Sequence, residues 1–152
     1  MKANYFNSLL AVLLVGLAFF TSCSKEDDSP APVVLTGLKF TLTVPAGTTG
    51  DIFIVGSMNG VHDGPESWKP GQAKYKLSKN SDGTFSITLP NTVAGVAGGV
   101  GLEYKYVNGA SWDQGEVLAA GCKDEVPNRK VTTGTVNKEF KDKVEAWKHT
   151  CK

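Results

Sequence analysis

The hexapeptide Leu102 to Val107, LEYKYV, carries the clearest structural signal in the chain. Its large side chains alternate with charged ones, so that Leu102, Tyr104 and Tyr106 fall on one face of an extended segment. Lys105 is out of phase with these three residues and therefore faces the opposite side. The period of two predicts a half-buried β-strand with Lys105 directed away from the core.

The flanking sequence contains further short apolar runs that end at turns, and the segment from Leu38 to Val44 alternates apolar with polar residues in the same way. Further strands are predicted at Leu38 to Val44, Asp51 to Val55, Lys74 to Leu77, Thr84 to Leu89 and Arg129 to Thr133. The 17 glycines and seven prolines fit a domain with many turns. These features predict an all-β fold, an antiparallel two-sheet immunoglobulin-like β-sandwich of about seven strands.

The C-terminal segment is compatible with two structures. Phe140, Val144, Trp147 and Cys151 follow helical spacing, but no helix cap precedes them and the segment continues a series of strands and turns. We favour a final edge strand and keep a helix as the alternative. In either case, Trp147 is expected to pack in the core or at a sheet edge.

The N-terminal sequence predicts export from the cytoplasm. Leu9 to Phe20 is an apolar run of 12 residues, too short to span a bilayer, and Thr21, Ser22 and Cys23 follow it. This arrangement resembles the lipobox of bacterial lipoproteins, and the acidic tail Ser24 to Asp28 resembles the surface-export signal of Bacteroidota lipoproteins. An ordinary secretory signal with an incidental cysteine is the alternative.

The lipobox resemblance implies three parts of the chain. They are a signal peptide over 1–22, a lipidated Cys23 with a flexible tether over 23–35, and one domain over 36–152. The implied location is the bacterial outer membrane, with the protein anchored by lipid at Cys23 and exposed at the cell surface.

Charge and cysteine content restrict the classes of partner. The formal net charge is +1 and no basic patch stands out, which argues against nucleic acid. Cys122 and Cys151 form an even pair in an exported chain and are predicted to form a disulfide. His62 and His149 are isolated, so we expect no metal site.

Seven short motifs lie within or beside the predicted strands and follow one another along the chain. They are Val44-Pro45, Val55-Gly56-Ser57, Ser67-Trp68-Lys69-Pro70, Gly83 to Pro90, Glu103 to Val107, Trp112 and Pro127-Asn128-Arg129. In this order they resemble the starch-binding domains of carbohydrate-binding module family 20 and the glycogen-binding modules of family 48. The sequence departs from the family in an insertion, Glu116 to Val126, which separates Trp112 from Asn128.

The resemblance implies a carbohydrate-binding site. Sugars present apolar C–H patches beside their hydroxyls, and aromatic faces bind such patches. By resemblance, Trp68 and Trp112 form the platform, while Lys105 and Asn128 bond the hydroxyls. Trp112 also lies in a polar turn with few apolar neighbours to bury it, which predicts that its ring is exposed. The alternatives are that Trp68 caps the sandwich, that Lys105 is an ordinary surface lysine, and that Asn128 and Arg129 are structural, with Arg129 bonding loop carbonyls.

The predicted function is non-catalytic binding of a starch- or glycogen-type α-glucan, either polysaccharide or maltooligosaccharide, by a lipid-anchored surface protein. Glycan-uptake proteins are its expected partners. The alternative is a lipoprotein scaffold that binds other proteins and no sugar, in which Trp68 and Trp112 would be buried. No Ser-His-Asp order, metal cluster or phosphate loop is present, so we expect no enzyme, no catalytic residue and no cofactor.

Overall fold

The structure is a computed structural model that describes residues 36–58, 64–92, 101–120, 122, 124–132 and 134–151. The signal peptide, Cys23 and tether predicted over 1–35 lie outside these residues, as does His62. Lipid anchoring, the proposed boundaries and the cellular location therefore stay predictions.

The described residues form short β-strands that are joined by turns. The strands are β1 (Gly37–Thr43), β2 (Phe53–Gly56), β3 (Ser78–Lys79), β4 (Phe85–Pro90), β5 (Glu103–Val107), β6 (Glu116–Val117), β7 (Arg129–Lys130), β8 (Glu139–Lys143) and β9 (Ala146–Trp147). Three 3-10 turns cover Ala73–Tyr75, Trp112–Gln114 and Lys148–Thr150. None of the helical turns in this part of the chain has the length and apolar character needed to cross a membrane.

The strands are arranged in three sheets. One has the order β3-β4-β1-β8, the second the order β2-β5-β7, and the third pairs β6 with β9. This arrangement confirms the predicted all-β sandwich. One pair differs from an all-antiparallel arrangement, because β8 lies parallel to β1, with Phe140 opposite Phe40. The rings of these two residues stack at 5.3 Å, so side-chain packing favours this register.

The core lies between the first two sheets and follows the predicted alternation. Leu38, Phe40 and Leu42 of β1 are fully buried, and the Phe40 ring meets Tyr104 of β5 edge-on at 4.9 Å. Tyr106 is also fully buried. Each such large side chain contributes about 1.5–3 kcal/mol by leaving water. The two faces of β1 and β5 were therefore predicted correctly.

The prediction of a strand at Lys74 to Leu77 is wrong. Ala73–Tyr75 is a 3-10 turn in which the Tyr75 N–H donates to the Gln72 carbonyl at 2.9 Å. The turn directs the Tyr75 ring into the core, while its hydroxyl donates to the Glu66 carboxylate at 2.9 Å. These contacts with a distant loop outweigh the local strand pattern, and the neighbouring β3 begins only at Ser78.

The C-terminal segment is extended, as favoured from the sequence. β8 and β9 occupy Glu139–Lys143 and Ala146–Trp147, and a single 3-10 turn follows. Trp147 is 1% exposed and its indole N–H donates to the Thr48 hydroxyl at 3.0 Å. The prediction that Trp147 packs in the core is confirmed.

Candidate functional site

The four residues predicted to contact sugar line one open cleft. Trp68, Lys105, Trp112 and Asn128 surround a cavity of about 400 Å³. Its other lining residues are Gly115, Glu116, Val117, Glu125 and Lys148. The fold thus brings together four side chains that lie in separate segments of the sequence.

Trp68 is held in an uncommon backbone conformation. Its φ of 56° lies in the left-handed region, which a bulky residue occupies only where its surroundings hold it. The Trp68 N–H donates to the Gly56 carbonyl at 2.9 Å, and the neighbouring Ser67 hydroxyl, which is buried, donates to the Met58 carbonyl at 3.3 Å. The loop before Trp68 is therefore anchored to the end of β2.

The same loop is anchored on its other side by Glu66. The Glu66 carboxylate accepts from the Tyr75 hydroxyl, and the Gln72 side-chain amide donates to the Glu66 carbonyl at 2.7 Å. Burial and the Glu66 carboxylate both raise the pKa of Tyr75 above its usual range, so the hydroxyl remains a donor at neutral pH. The position of Trp68 thus depends on residues on both sides of it.

Trp112 lies in a short polar turn and remains accessible. Ser111 caps the turn by accepting from the Asp113 N–H at 3.3 Å, and the Gly115 N–H donates to the Trp112 carbonyl at 3.0 Å. The Trp112 side chain is 40% exposed. The prediction that few apolar neighbours bury it is confirmed.

A close contact between two loops brings the tryptophans together. Gly71 has a φ of 79°, and a Cβ at this position would lie 2.8 Å from the Cβ of Ala110. Glycine therefore permits the loop of Trp68 to approach the turn of Trp112. The two indole rings lie 6.4 Å apart, centroid to centroid, at 35° to each other, and form an angled aromatic surface.

Lys105 and Asn128 supply polar groups at the same cleft. Lys105 projects from β5 away from the core, as predicted, but its side chain is only 14% exposed and its Nζ lies 3.4 Å from a Glu125 carboxylate oxygen. Asn128 precedes β7, and its Nδ2 donates to the Glu103 carboxylate at 3.1 Å. Each of these two side chains therefore has a carboxylate partner.

A buried ion pair below the cleft was not predicted. The Glu116 side chain is 1% exposed and binds both terminal nitrogens of Arg129, one of them at 2.7 Å. The Tyr106 backbone N–H also donates to Glu116, at 2.9 Å. Burial opposes the charged guanidinium, but its bonds to Glu116 outweigh this effect and raise the pKa of Arg129.

The role expected for Arg129 is only partly correct. Its guanidinium does bond a loop carbonyl, that of Lys143, at 3.2 Å, but Glu116 is its closest partner. Glu116 also forms part of β6, where it lies opposite Trp147. No local signal in the sequence marks this pair, since both the strand and the ion pair depend on residues far along the chain.

Asp142 extends this network into the core. The hydroxyls of Tyr104 and Tyr106 donate to one Asp142 oxygen at 3.0 and 2.8 Å, and Arg129 lies 3.7 Å from the other. Burial, together with the Asp142 charge, raises the pKa of both tyrosines. A hydrogen-bonded network therefore continues from Glu116, at the cleft, into the core.

The predicted disulfide between Cys122 and Cys151 is present. Their Cα atoms are 5.7 Å apart, and the bond joins the inserted loop to the C-terminal 3-10 turn. Within the described ranges, no group of three or more His, Cys, Asp or Glu side chains is placed to hold a metal ion.

Comparison with known proteins gives one similar sequence and one structure with a partial likeness to this chain. No family model matches the chain. An alpha-amylase of Niallia circulans is 32% identical over 111 residues, which cover 72% of this chain and 7% of the amylase. The glucoamylase structure of Hormoconis resinae has a TM-score of 0.44 and 17% identity, covering 75% of this chain and 18% of the glucoamylase. The chain thus spans a small part of either enzyme.

Proposed function

We propose that this domain binds α-glucans of the starch and glycogen type and leaves them intact. The observation that carries the proposal is the convergence of Trp68, Trp112, Lys105 and Asn128 on one cleft. The two indoles offer angled apolar faces, and an α-glucan curves, so that successive glucose rings present their C–H patches at an angle. The Lys105 ammonium donates to hydroxyls, and Asn128 presents its Oδ1 as an acceptor.

The sequence similarity supports the same ligand class. An alpha-amylase acts on starch, and the matched segment covers only 7% of that enzyme, which is the size expected of an accessory domain and not of a catalytic one. The resemblance to carbohydrate-binding module families 20 and 48 has the same implication, because those modules bind starch and glycogen.

The charged floor of the cleft supports binding without catalysis. Hydrolysis of a glycosidic bond uses two carboxyl groups on either side of it, and one of them must deliver a proton. The Glu116 carboxylate is committed to Arg129 and to the Tyr106 N–H, so it acts as a structural group. A shallow site of this kind orders few sugar rings, and we expect a binding free energy of about −4 to −7 kcal/mol.

Anchoring through a lipid at Cys23 places this binding at the outer surface of a bacterial cell. The support is the apolar run Leu9 to Phe20 with the small residues and cysteine that follow it. In this location the domain would hold polysaccharide close to glycan-uptake proteins that are separate chains.

The experiment is a fluorescence titration of the full chain with maltoheptaose. Trp68 and Trp112 respond to a ligand that stacks on them, whereas the buried Trp147 supplies a constant background. We expect saturation at a Kd between about 10 µM and 1 mM, and loss of the response in Trp112→Ala. Val136→Ala is the matched control, because it also removes an exposed large apolar side chain and does not line the cleft.

No response at about 10 mM maltoheptaose would reject the proposal, since even a binding free energy of about −3 kcal/mol begins to show at that concentration. A protein-binding scaffold would then be the better explanation. A response that survives in Trp112→Ala would instead reject the aromatic platform.

A further inference from the structure

One side of the cleft is built by segments that lie outside the resemblance to carbohydrate-binding modules. It consists of the inserted loop, which contributes Glu125, and the C-terminal 3-10 turn, which contributes Lys148. We refer to these two segments as the added wall. The family's sugar contacts do not include either residue.

The added wall is attached firmly to the sandwich. β6 pairs with β9, and the Lys148 N–H donates to the Gly115 carbonyl at 2.9 Å. Within the loop, Val117 bridges to Glu125 and the Leu118 N–H donates to the Asp124 carbonyl at 3.1 Å. The disulfide between Cys122 and Cys151 then ties the loop to the C-terminal turn.

The wall adds one carboxylate, Glu125, and one ammonium group, Lys148, to the cleft. The charged lining residues are Lys105, Lys148, Glu116 and Glu125. Because Glu116 is committed to Arg129, Glu125 is the carboxylate that can act on a ligand, and one of its oxygens lies 3.4 Å from the Lys105 Nζ. The Lys105 side chain is 14% exposed, so its charge is screened less than that of a surface lysine and acts more strongly on a bound ligand.

We propose that Glu125 shifts the preference of the cleft toward uncharged glucans over acidic or phosphorylated ones, and that the disulfide holds the loop that carries Glu125 at the cleft. The inference rests on the proposed sugar-binding function. A glucose hydroxyl both donates and accepts, so it satisfies the Glu125 carboxylate and the Lys105 ammonium together. A phosphate or carboxylate on the sugar gains from the lysines but is repelled by Glu125 at the same place.

The pair is suited to this role because it is weak in the absence of ligand. Glu125 is 81% exposed and its contact with Lys105 is long, at 3.4 Å, so the ion pair contributes little to stability. Either side chain turns toward a ligand at little cost. Removing the Glu125 charge should therefore alter ligand choice and leave the fold unchanged.

The experiment compares two forms of one ligand on the full chain by calorimetry. The ligands are maltoheptaose and maltoheptaose phosphorylated at a C6 hydroxyl, and the quantity measured is the ratio of their Kd values. In Glu125→Gln we expect this ratio to shift about tenfold toward the phosphorylated sugar, which corresponds to about 1.4 kcal/mol. Lys148→Met should shift it in the opposite direction, and both shifts should shrink in about 0.5 M salt.

Two further variants separate selectivity from structure. Glu139→Gln removes an exposed carboxylate that is paired with Lys39 and does not line the cleft, and it should leave the ratio unchanged. The double variant C122S/C151S should shift the ratio in the direction of Glu125→Gln. A purely structural role of Glu125 would weaken binding of both sugars equally and would not change the ratio.

The outcomes distinguish this inference from the proposed function. A ratio within twofold of the wild type in Glu125→Gln, while the wild type binds maltoheptaose and Trp112→Ala does not, overturns the selectivity and leaves the sugar site standing. A wild type that binds neither sugar overturns the sugar-binding function and this inference with it.

Discussion

Replacing Arg129 by methionine should destabilise the domain strongly. The Glu116 side chain is 1% exposed and would lose both guanidinium bonds, keeping only the Tyr106 N–H as a donor. Breaking a buried ion pair by removing one partner costs about 3–5 kcal/mol, because the remaining charge is buried without compensation. Since a domain of this size has a total stability of about 5–15 kcal/mol, R129M should lose a large part of it.

Urea unfolding at pH 7, followed by tryptophan fluorescence, measures this loss. Lys130→Met is the matched control, because Lys130 is the next residue of β7 and also pairs with a glutamate, Glu103, at 2.8 Å, but is 69% exposed. Its loss should be below about 1 kcal/mol.

The double variant E116Q/R129M tests the cause of the loss. A glutamine keeps an acceptor for the Tyr106 N–H and buries no charge, so this variant should recover about half of the stability lost in R129M. If R129M unfolds like K130M, or if the double variant is no more stable than R129M, the buried charge is not the source of the effect.

Two other perturbations have clear expected results. Tyr104 and Tyr106 lie beside Asp142, and their pKa values in the folded protein are raised above 10, the usual tyrosine value. Their contribution to the stability of the fold is therefore fully present below pH 10. As the pH rises above 10, only the unfolded chain ionises, so the free energy of unfolding should fall by about 1.4 kcal/mol per tyrosine and pH unit, measured by urea unfolding from pH 8 to 11. Replacing Cys122 and Cys151 by serine should cost about 3–4 kcal/mol in the chain-entropy account and lower the thermal midpoint, which calorimetry measures; an unchanged midpoint would contradict it.

Several features of the fold were predictable because they depend on local pattern. The alternation in Leu38 to Val44 and in Leu102 to Val107 correctly placed the buried faces of β1 and β5. The polar surroundings of Trp112 correctly indicated its exposure, and the even pair of cysteines indicated the disulfide. In each case, neighbours in sequence or simple pairing rules determine the result.

Features that depend on distant partners were missed or misassigned. Lys74 to Leu77 has the composition of a strand, but Glu66 and the core fix Tyr75 in a 3-10 turn. The burial of Glu116 becomes apparent only when β6, β7 and β9 are assembled. The same holds for the cleft, since the contact of Gly71 with Ala110 that brings the tryptophans together joins two loops with no common motif.

The parallel pairing of β1 with β8 has a consequence for how the domain folds. The Thr41 hydroxyl donates to the Glu139 carboxylate 98 positions later, so one of the first strands of the domain is completed by one of the last. Closing such a long loop lowers the entropy of the chain before the contacts between β1 and β8 can stabilise it, and this slows folding. During synthesis, the edge of β1 that pairs with β8 therefore stays unpaired until almost the whole domain has been made.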